Sequence, residues 1–183
     1  MKIYLTTDTH FGHEKIKEYC GRPDNFEELI LKYLSKIKPD LLIHLGDFSL
    51  GGKDEVWHQK FMDVVKCKKW LLRGNHDKQT DFWYLQHGWD WVGNASTNFF
   101  FGKKIVFSHR PVMYSVGSFD LNIHGHFHNT LHRLLEGQWV VPGEKERNQV
   151  DLANLSEHHK LLSIEETDYK AVSLEDYLNK NDK

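Results

Sequence analysis

Residues 41–47 read LLIHLGD, a short and mostly apolar run that ends abruptly in Gly-Asp. An apolar run of this length, bounded by turn residues, predicts a β-strand buried on both faces, as the strands of parallel sheets are. Polar residues directly after such a strand lie at its carboxyl end, where open α/β sheets place their ligand sites. The same arrangement recurs along the chain, so we expect several strand ends to meet at one pocket.

Five short segments rich in Asp, Asn and His each follow a run that reads as a strand: Asp8-Thr9-His10, Gly46-Asp47, Gly74-Asn75-His76-Asp77, Ser108-His109 and Gly125-His126-Phe127-His128. One such motif means little, and Gly-Asp by itself is usually a turn. In Gly-His-Phe-His, two imidazoles on a strand-like segment would point the same way, with Cα atoms about 6–7 Å apart. That spacing suits two metal ions about 3.5–4 Å apart. Together the five segments predict a site for two metal ions.

Taken in order, the segments resemble the pattern of the calcineurin-like metallophosphoesterase superfamily, which is D-x-H, G-D, G-N-H-[D/E], H and G-H-x-H. Every element is present between Asp8 and His128, and residues 6–13, TTDTHFGH, are similar to the opening of small prokaryotic and phage members. The resemblance implies an α/β fold, a four-layer α/β/β/α sandwich of two mixed β-sheets flanked by helices. It also implies a binuclear-metal-dependent phosphoesterase.

The resemblance implies a role for each motif residue. Seven residues are the implied metal ligands: Asp8, His10 and His128 for one ion, Asn75, His109 and His126 for the other, and Asp47 for both. A metal-bridging hydroxide would attack phosphorus, most readily in a phosphodiester. His76 would act as the general acid that protonates the leaving oxygen, and Asp77 would orient His76. The implied cofactors are two divalent transition-metal ions, Mn²⁺ first among them, with Fe, Zn, Ni or Co as alternatives.

The chemistry of the ligand atoms is consistent with that assignment. Imidazole suits Zn-, Mn- and Fe-like ions, while carboxylate and amide oxygens suit harder ions, and no Cys takes part. This mixture argues against a zinc–thiolate structural site and against an all-oxygen calcium site. Two divalent ions carry +4, the carboxylates of Asp8 and Asp47 remove two charges, and a bridging hydroxide would leave about +1, which attracts a phosphate anion.

Length and composition predict one domain, residues 1–183, with a sizeable core. The formal net charge is −2, so no strong field favours a polyanionic partner, and nucleic acid is possible but not indicated by charge. Cys20 and Cys67 are isolated and read as reduced thiols, although sequence alone leaves a disulfide open. We find no signal peptide and no run of transmembrane length, and expect a cytoplasmic protein without a membrane partner. The oligomeric state stays open.

Departures from the patterns of known relatives narrow the range of expected substrates. Residues 48–52, FSLGG, follow Gly46-Asp47 where Ser/Thr protein phosphatases continue with Asp-Arg-Gly. A minimal core with an open site suits a small phosphate ester, above all a small phosphodiester or an exposed nucleotide end. Two alternatives remain: a non-catalytic binding module on the same fold, and a single-strand nuclease or end-processing enzyme. The second would stack bases on exposed aromatic residues; the candidates are Trp57, Trp89, Trp91 and Phe127, although core packing explains most aromatics better.

Apolar periodicity and capping residues predict the remaining elements. The predicted strands are Ile3–Thr7, Leu41–Leu45, Trp70–Arg73, Trp91–Val92, Asn98–Phe101, Ile105–Ser108, Leu121–His124 and Leu161–Thr167. The predicted helices are Glu14–Tyr19, Phe26–Ile37, Glu55–Val65, Phe82–His87 and a last one from the cap Ser173 through Leu178, and Val141–Gln149 is predicted to be a flexible loop.

Five further residues near the motifs keep two interpretations each. His13 contacts substrate phosphate or belongs to a loop, His44 is a hydrogen-bonded core residue rather than a ligand, and His124 supports a ligand or belongs to a strand. Arg22 and Arg110 are candidate phosphate clamps by their chemistry, or ordinary surface arginines.

Overall fold

The computed structural model describes residues 1–50, 52, 54–138 and 145–181. Within these residues the chain forms nine strands in two mixed sheets. The strands are β1 Ile3–Thr6, β2 Leu41–His44, β3 Lys68–Leu72, β4 Trp91–Gly93, β5 Ala95–Phe100, β6 Lys103–Ser108, β7 Leu121–His124, β8 His159–Leu161 and β9 Val172–Ser173.

The two sheets have different strand directions. The first has the order β4-β3-β2-β1-β9, in which β1 to β4 are parallel and β9 runs antiparallel to β1. The second has the order β5-β6-β7-β8, in which only β5 is antiparallel. Because parallel strands end at the same edge of a sheet, the segments after β1, β2 and β3 meet there, as do those after β6 and β7.

Helices flank the sheets. They are α1 Ile16–Cys20, α2 Phe26–Leu34, α3 Asp54–Val64, α4 Asp81–Gln86, α5 Leu131–Leu135, α6 Lys145–Ala153 and α7 Leu174–Asn181, with a 3₁₀ turn at His128–Thr130. The predicted α/β class with two mixed sheets flanked by helices is confirmed. Among the described residues, no helix has the length and apolar character needed to cross a bilayer.

Successive side chains along each strand of the first sheet point to opposite faces, and each face packs into its own core. One face packs against the second sheet, with Ile3, Leu5, Leu41, Ile43, Leu45 and Leu72 meeting Ile105, Phe107 and Ile123. The other face packs against α1 to α4, where Leu42 and Leu71 meet Phe26, Ile30 and Phe61. Each fully buried aliphatic or aromatic side chain contributes about 1.5–3 kcal/mol, so both cores stabilise the strands that position the pocket.

The early elements match the prediction to within a few residues at their ends. The predicted helix Phe26–Ile37 ends at Leu34, because Ser35 Oγ donates to the carbonyl of Lys32 and tightens the last turn. At the end of the chain, Ser173 Oγ accepts the N–H of Asp176 at 3.4 Å, as a cap does, and the helix continues to Asn181. Both cysteines are free thiols, Cys20 buried and Cys67 partly exposed.

Two late predictions are wrong. The predicted strand Leu161–Thr167 shares only Leu161 with the observed strand β8, which covers His159–Leu161. Pairing stops there because the partner strand β7 ends at His124, and the chain then turns. The predicted loop Val141–Gln149 is helical from Lys145 onward, while residues 141–144 lie outside the described residues. Residues 145–149 read KERNQ, mostly good helix formers without apolar periodicity, so the helix left no amphipathic signal.

The inter-sheet core gives a stability prediction. Phe107→Ala removes a ring that is fully buried between the sheets, and should lower the free energy of unfolding by about 3–5 kcal/mol. Phe99→Ala is the matched control on neighbouring β5, since that ring is 75% exposed, and should change it by less than about 0.5 kcal/mol. Chemical denaturation measures both. Equal costs would mean that the core is not where the structure places it.

Candidate metal centre

Five strand ends bring the predicted ligands to one place between the two sheets. We call Asp8, His10 and His128 the first ligand group, and Asn75, His109 and His126 the second ligand group. In the first ligand group, Asp8 Oδ1 lies 4.0 Å from His10 Nε2 and 3.7 Å from His128 Nε2. In the second, His109 Nε2 lies 3.1 Å from Asn75 Oδ1 and 3.2 Å from His126 Nδ1. All six predicted ligands of the two groups therefore converge.

Asp47 lies between the two groups. Its Oδ2 atom is 3.5 Å from His10 Nε2 in the first ligand group and 3.3 Å from His109 Nε2 in the second. Its other oxygen, Oδ1, accepts the backbone N–H of His76 at 2.8 Å, which fixes the carboxylate. A carboxylate placed this way can contact both ions, as the bridging assignment requires.

The lone pairs of the site fit cations. Asp8 Oδ1 and His10 Nε2 are fully buried and have no hydrogen-bond partner among the described residues. A buried polar atom without a partner costs a large desolvation energy, so such atoms are rare. Ligand atoms that face each other at 3.1–3.3 Å repel unless a proton or a cation lies between them. Imidazole nitrogens together with carboxylate and amide oxygens suit divalent transition ions.

Contacts on the far side of two ligand rings, His109 and His10, select the nitrogen that faces the site. His109 Nδ1 lies 2.9 Å from the carbonyl of Leu45, so it donates there, and Nε2 is the nitrogen that faces the site and can bind a metal once its proton is lost. His10 Nδ1 lies 3.2 Å from His13 Nδ1, and burial, first of all, lowers the pKa of His13 to about 4. A neutral His13 can accept the His10 proton, so it supports a ligand.

The backbone of the site is unusual. Five of the seven predicted ligands have a positive φ, between 46° and 75°: Asp8, His10, Asp47, His126 and His128. Non-glycine residues rarely adopt this left-handed conformation, and each instance costs about 1–3 kcal/mol. Backbone bonds hold two of them, from Asp8 N–H to Gly46 O at 2.9 Å and from His10 N–H to Asp47 O at 3.0 Å. Strain concentrated in this way marks a functional site.

This geometry corrects one expectation. The Gly-His-Phe-His segment is not strand-like, since β7 ends at His124 and the chain turns at His126 and His128. The two rings therefore reach different ligand groups by backbone turns rather than by strand alternation. Two motif glycines are required for close approach: a Cβ on Gly74 would overlap the Asp47 carboxylate, and one on Gly125 would overlap the Asp8 carboxylate.

The charges of the site are strongly coupled. Burial alone would lower the pKa of His109, but the Asp47 carboxylate outweighs it and raises the pKa to about 9. Burial also opposes protonation of His128, yet Asp8, Cys20 and Glu165 raise its pKa well above the usual value. By contrast, burial lowers the pKa of His10 well below its usual value, despite the Asp47 charge.

His76 and Asp77 have different surroundings. The His76 side chain is 34% exposed, and its Nε2 lies 3.9 Å from Asp47 Oδ2, so it is open to solvent. The Asp77 carboxylate is buried and accepts the backbone N–H groups of Asp47, Phe48 and Gly74 at 2.8–3.0 Å. Burial, reinforced by the charge of Asp47, raises the pKa of Asp77 to about 6. Asp77 therefore joins two ligand loops, and its role in orienting the His76 ring stays a prediction.

The structure decides between the two interpretations given above for several residues near the motifs. His44 is a hydrogen-bonded core residue, as predicted: Nδ1 accepts the N–H of Gly46, and Nε2 lies 3.0 Å from Thr9 Oγ1. His124 is buried at the end of β7, with Nδ1 at 3.0 Å from the carbonyl of Gly125. Arg110 lies at the second ligand group, where its guanidinium donates to Asn75 Oδ1 at 3.2 Å.

The aromatic residues considered for base stacking are buried or pack against the two cores, and of the four only Trp57 and Trp91 are partly exposed. Trp89 and Phe127 are buried. Trp57 stacks on Phe11 with ring centroids 5.1 Å apart, and Trp91 packs against Trp70 at 5.7 Å. The interpretation that core packing explains these aromatics is confirmed.

Three residues behind the ligands have roles that the sequence interpretation missed. Glu165 lies 3.1 Å from His128 Nδ1, and Asp151 Oδ2 lies 3.5 Å from His126 Nε2. Arg22 is neither a surface residue nor a phosphate clamp, because its guanidinium is buried beneath the first ligand group. None of the three follows a strand, so the signal that found the ligands could not find them.

Nearly the whole chain is similar to known proteins. The family profile described as "Calcineurin-like phosphoesterase" matches residues 1–182. An uncharacterized protein of Methanocaldococcus jannaschii, MJ1445, is 29% identical over 182 residues, which are 95% of this chain and 88% of that protein. The crystal structure of AQ665 from Aquifex aeolicus, a protein of unknown function, is similar at a TM-score of 0.69 and 26% identity, over 98% of both chains.

Asp47 gives a prediction for metal content. Asp47→Ala should abolish binding of both ions, because its Oδ2 lies within 3.5 Å of a ring nitrogen from each ligand group. Elemental analysis of the purified variant measures the loss. Asp63→Ala removes an exposed aspartate on α3 and should keep two ions per chain. Two ions retained in Asp47→Ala would refute the bridging assignment.

Metal binding should release protons. The pKa of His109 is raised to about 9 and that of His128 is raised well above its usual value, so both rings are protonated at pH 7. A ring nitrogen must lose its proton before it binds a metal, so affinity should rise with pH up to about 9. Calorimetry in two buffers of different ionisation enthalpy should find about one proton released with each ion. No release at pH 7 would contradict these pKa shifts.

Proposed function

Because the chain belongs to the calcineurin-like phosphoesterase family, we propose that it is a phosphodiesterase that uses two divalent transition ions. The observation that carries the proposal is the position of Asp47. Its Oδ2 atom lies 3.5 Å from His10 Nε2, 3.3 Å from His109 Nε2 and 3.9 Å from Nε2 of the partly exposed His76. The site thus combines two groups of metal-binding atoms with one histidine that solvent can reach. A phosphoester bound at the ions would have that histidine beside its leaving oxygen.

Two bound cations, with Mn²⁺ first by resemblance, would neutralise charge on the phosphoryl oxygens and lower the pKa of the attacking water. The first ligand group with Asp47 would hold one, and the second ligand group with Asp47 the other. The chain supplies the remaining chemistry. Water adds to phosphorus and loses a proton to solvent, the bond from phosphorus to the ester oxygen breaks, and His76 gives that oxygen a proton. Solvent then returns the proton to His76, because the ring is 34% exposed.

Arg110 supports a diester rather than a monoester substrate. Its guanidinium donates to Asn75 Oδ1, a second-group atom, so it would lie beside a phosphate bound at that ion. Its charge is already paired with Asp151, at 2.6 Å between Nη1 and Oδ2. A phosphodiester carries one negative charge, whereas a monoester carries close to two at neutral pH. A partly neutralised arginine suits the smaller charge better.

The proposal is tested through the leaving group. The Mn²⁺-loaded protein should hydrolyse dinucleotides or cyclic nucleotides faster than sugar monophosphates, and a chelator should abolish both reactions. In His76→Ala, diesters with a ribose or alkyl leaving group should lose about 10²–10⁴-fold in kcat/KM, since a poor leaving oxygen needs the proton. A bis-nitrophenyl diester should lose little, because nitrophenolate departs unaided. Metal content should stay at two ions.

His13→Ala is the matched control, because it removes another ring, one that lies with its centroid 6.0 Å from that of His76. It should affect both substrates equally, through the His10 ligand. Equal losses on both substrates in His76→Ala would show that His76 binds phosphate and is not the acid. Preference for short oligonucleotides, with affinity that falls steeply with salt, would instead favour the nuclease alternative.

A further inference from the structure

A buried ion pair lies directly behind the first ligand group. Glu165 Oε1 accepts from Arg22 Nε at 2.9 Å and from Arg22 Nη2 at 2.6 Å. The Arg22 side chain is 0% exposed and that of Glu165 is 5% exposed. Ser163 Oγ donates to the other carboxylate oxygen of Glu165 at 2.8 Å. Glu165 is thus held from both sides at the turn that replaces the predicted late strand.

The pair contacts both halves of the first ligand group. Glu165 Oε1 lies 3.1 Å from His128 Nδ1, so the ring donates to it and presents Nε2 to Asp8 Oδ1. Arg22 Nη2 donates to the carbonyl of Asp8 at 2.7 Å, and Arg22 Nη1 donates to the carbonyl of Thr9 at 3.0 Å. These carbonyls belong to the loop that carries Asp8 and His10 with positive φ. One ion pair therefore fixes ligands that are 118 to 120 positions apart in the chain, since 128 − 10 = 118 and 128 − 8 = 120.

Stability alone does not account for this pair. Removing two charges from water is expensive, and replacing a buried ion pair with apolar residues is often neutral or stabilising. Apolar residues could fill the same volume, but they could neither donate to the two carbonyls nor accept from the imidazole. The contacts that need charge and fixed geometry are the contacts to the ligands.

We propose that Arg22 and Glu165 are positioning residues that preorganise the first ligand group for its ion. The inference rests on the proposed two-metal function. Glu165 fixes the tautomer and orientation of His128, and Arg22 fixes the strained Asp8–His10 loop. Replacing a carboxylate that holds a ligand histidine commonly lowers metal affinity by about 10–100-fold.

Asp151 provides a matched control on the other ion. Its Oδ2 lies 3.5 Å from His126 Nε2, and it pairs with Arg110, so it stands behind the second ligand group as Glu165 stands behind the first. The two carboxylates come from separate late segments, Asp151 from α6 and Glu165 from the turn after β8. Substituting one should therefore weaken one ion selectively.

The test is a calorimetric titration of the metal-free full chain with Mn²⁺. His10→Ala and Asn75→Ala first identify which binding step belongs to which ligand group. Glu165→Gln should then weaken the first-group step by about 10–100-fold and leave the second-group step within about 2-fold. Asp151→Asn should show the reverse pattern. Arg22→Lys keeps the charge, but one ammonium nitrogen cannot occupy the separate positions from which Nε, Nη1 and Nη2 reach Glu165 and the two carbonyls, so it should reproduce the Glu165→Gln pattern.

The thermal midpoint of the metal-free variants separates positioning from a structural role. Equal weakening of both steps by Glu165→Gln, or a lowered midpoint with unchanged affinities, would overturn the proposal. Restored first-group affinity in Glu165→Asp, relative to Glu165→Gln, would support it. The titration needs no substrate, so a chain that binds two ions with these selectivities but cleaves no ester would refute only the phosphodiesterase function.

Discussion

The structure depends on one electrostatic constraint, which is the convergence of lone pairs around Asp47. Its Oδ2 atom lies within 3.5 Å of a ring nitrogen from each ligand group, and buried atoms of Asp8 and His10 have no hydrogen-bond partner among the described residues. Such an arrangement is costly unless cations neutralise it. The parallel strands, the close-approach glycines and the left-handed ligand residues all serve to bring these atoms together.

The fold tolerates this cost because its remainder is well packed. The inter-sheet core and the helix-side core contain fully buried Leu, Ile and Phe side chains on each face of the first sheet. Five left-handed ligand residues at about 1–3 kcal/mol each would otherwise consume much of the stability of a single domain. Asp77 connects the ligand loops to each other, because its buried carboxylate accepts backbone N–H groups from both the Asp47 loop and the Gly74 loop.

The sequence predicted the features that depend on neighbouring residues in the chain, and missed those that depend on contacts between distant segments. Strand and ligand form one continuous signal in segments such as LLIHLGD, so the fold class and the convergence of the seven ligands could be predicted. Glu165 and Asp151 could not, because the first lies in an irregular turn and the second on a polar helix without apolar periodicity. The late strand failed for a related reason: its length is set by β7, the neighbouring strand, and not by its own apolar content.

The Gly-His-Phe-His segment shows how a short motif sends side chains to both ligand groups at once. Phe127 is buried and anchors the turn, while His126 and His128 take left-handed conformations on either side of it. His126 presents Nδ1 to the second ligand group and His128 presents Nε2 to the first, so the two rings use different nitrogens. Each remaining nitrogen faces its own carboxylate, Asp151 or Glu165. Both histidines belong to one short motif, and it is the late segments of the chain that orient each of them toward its own ligand group.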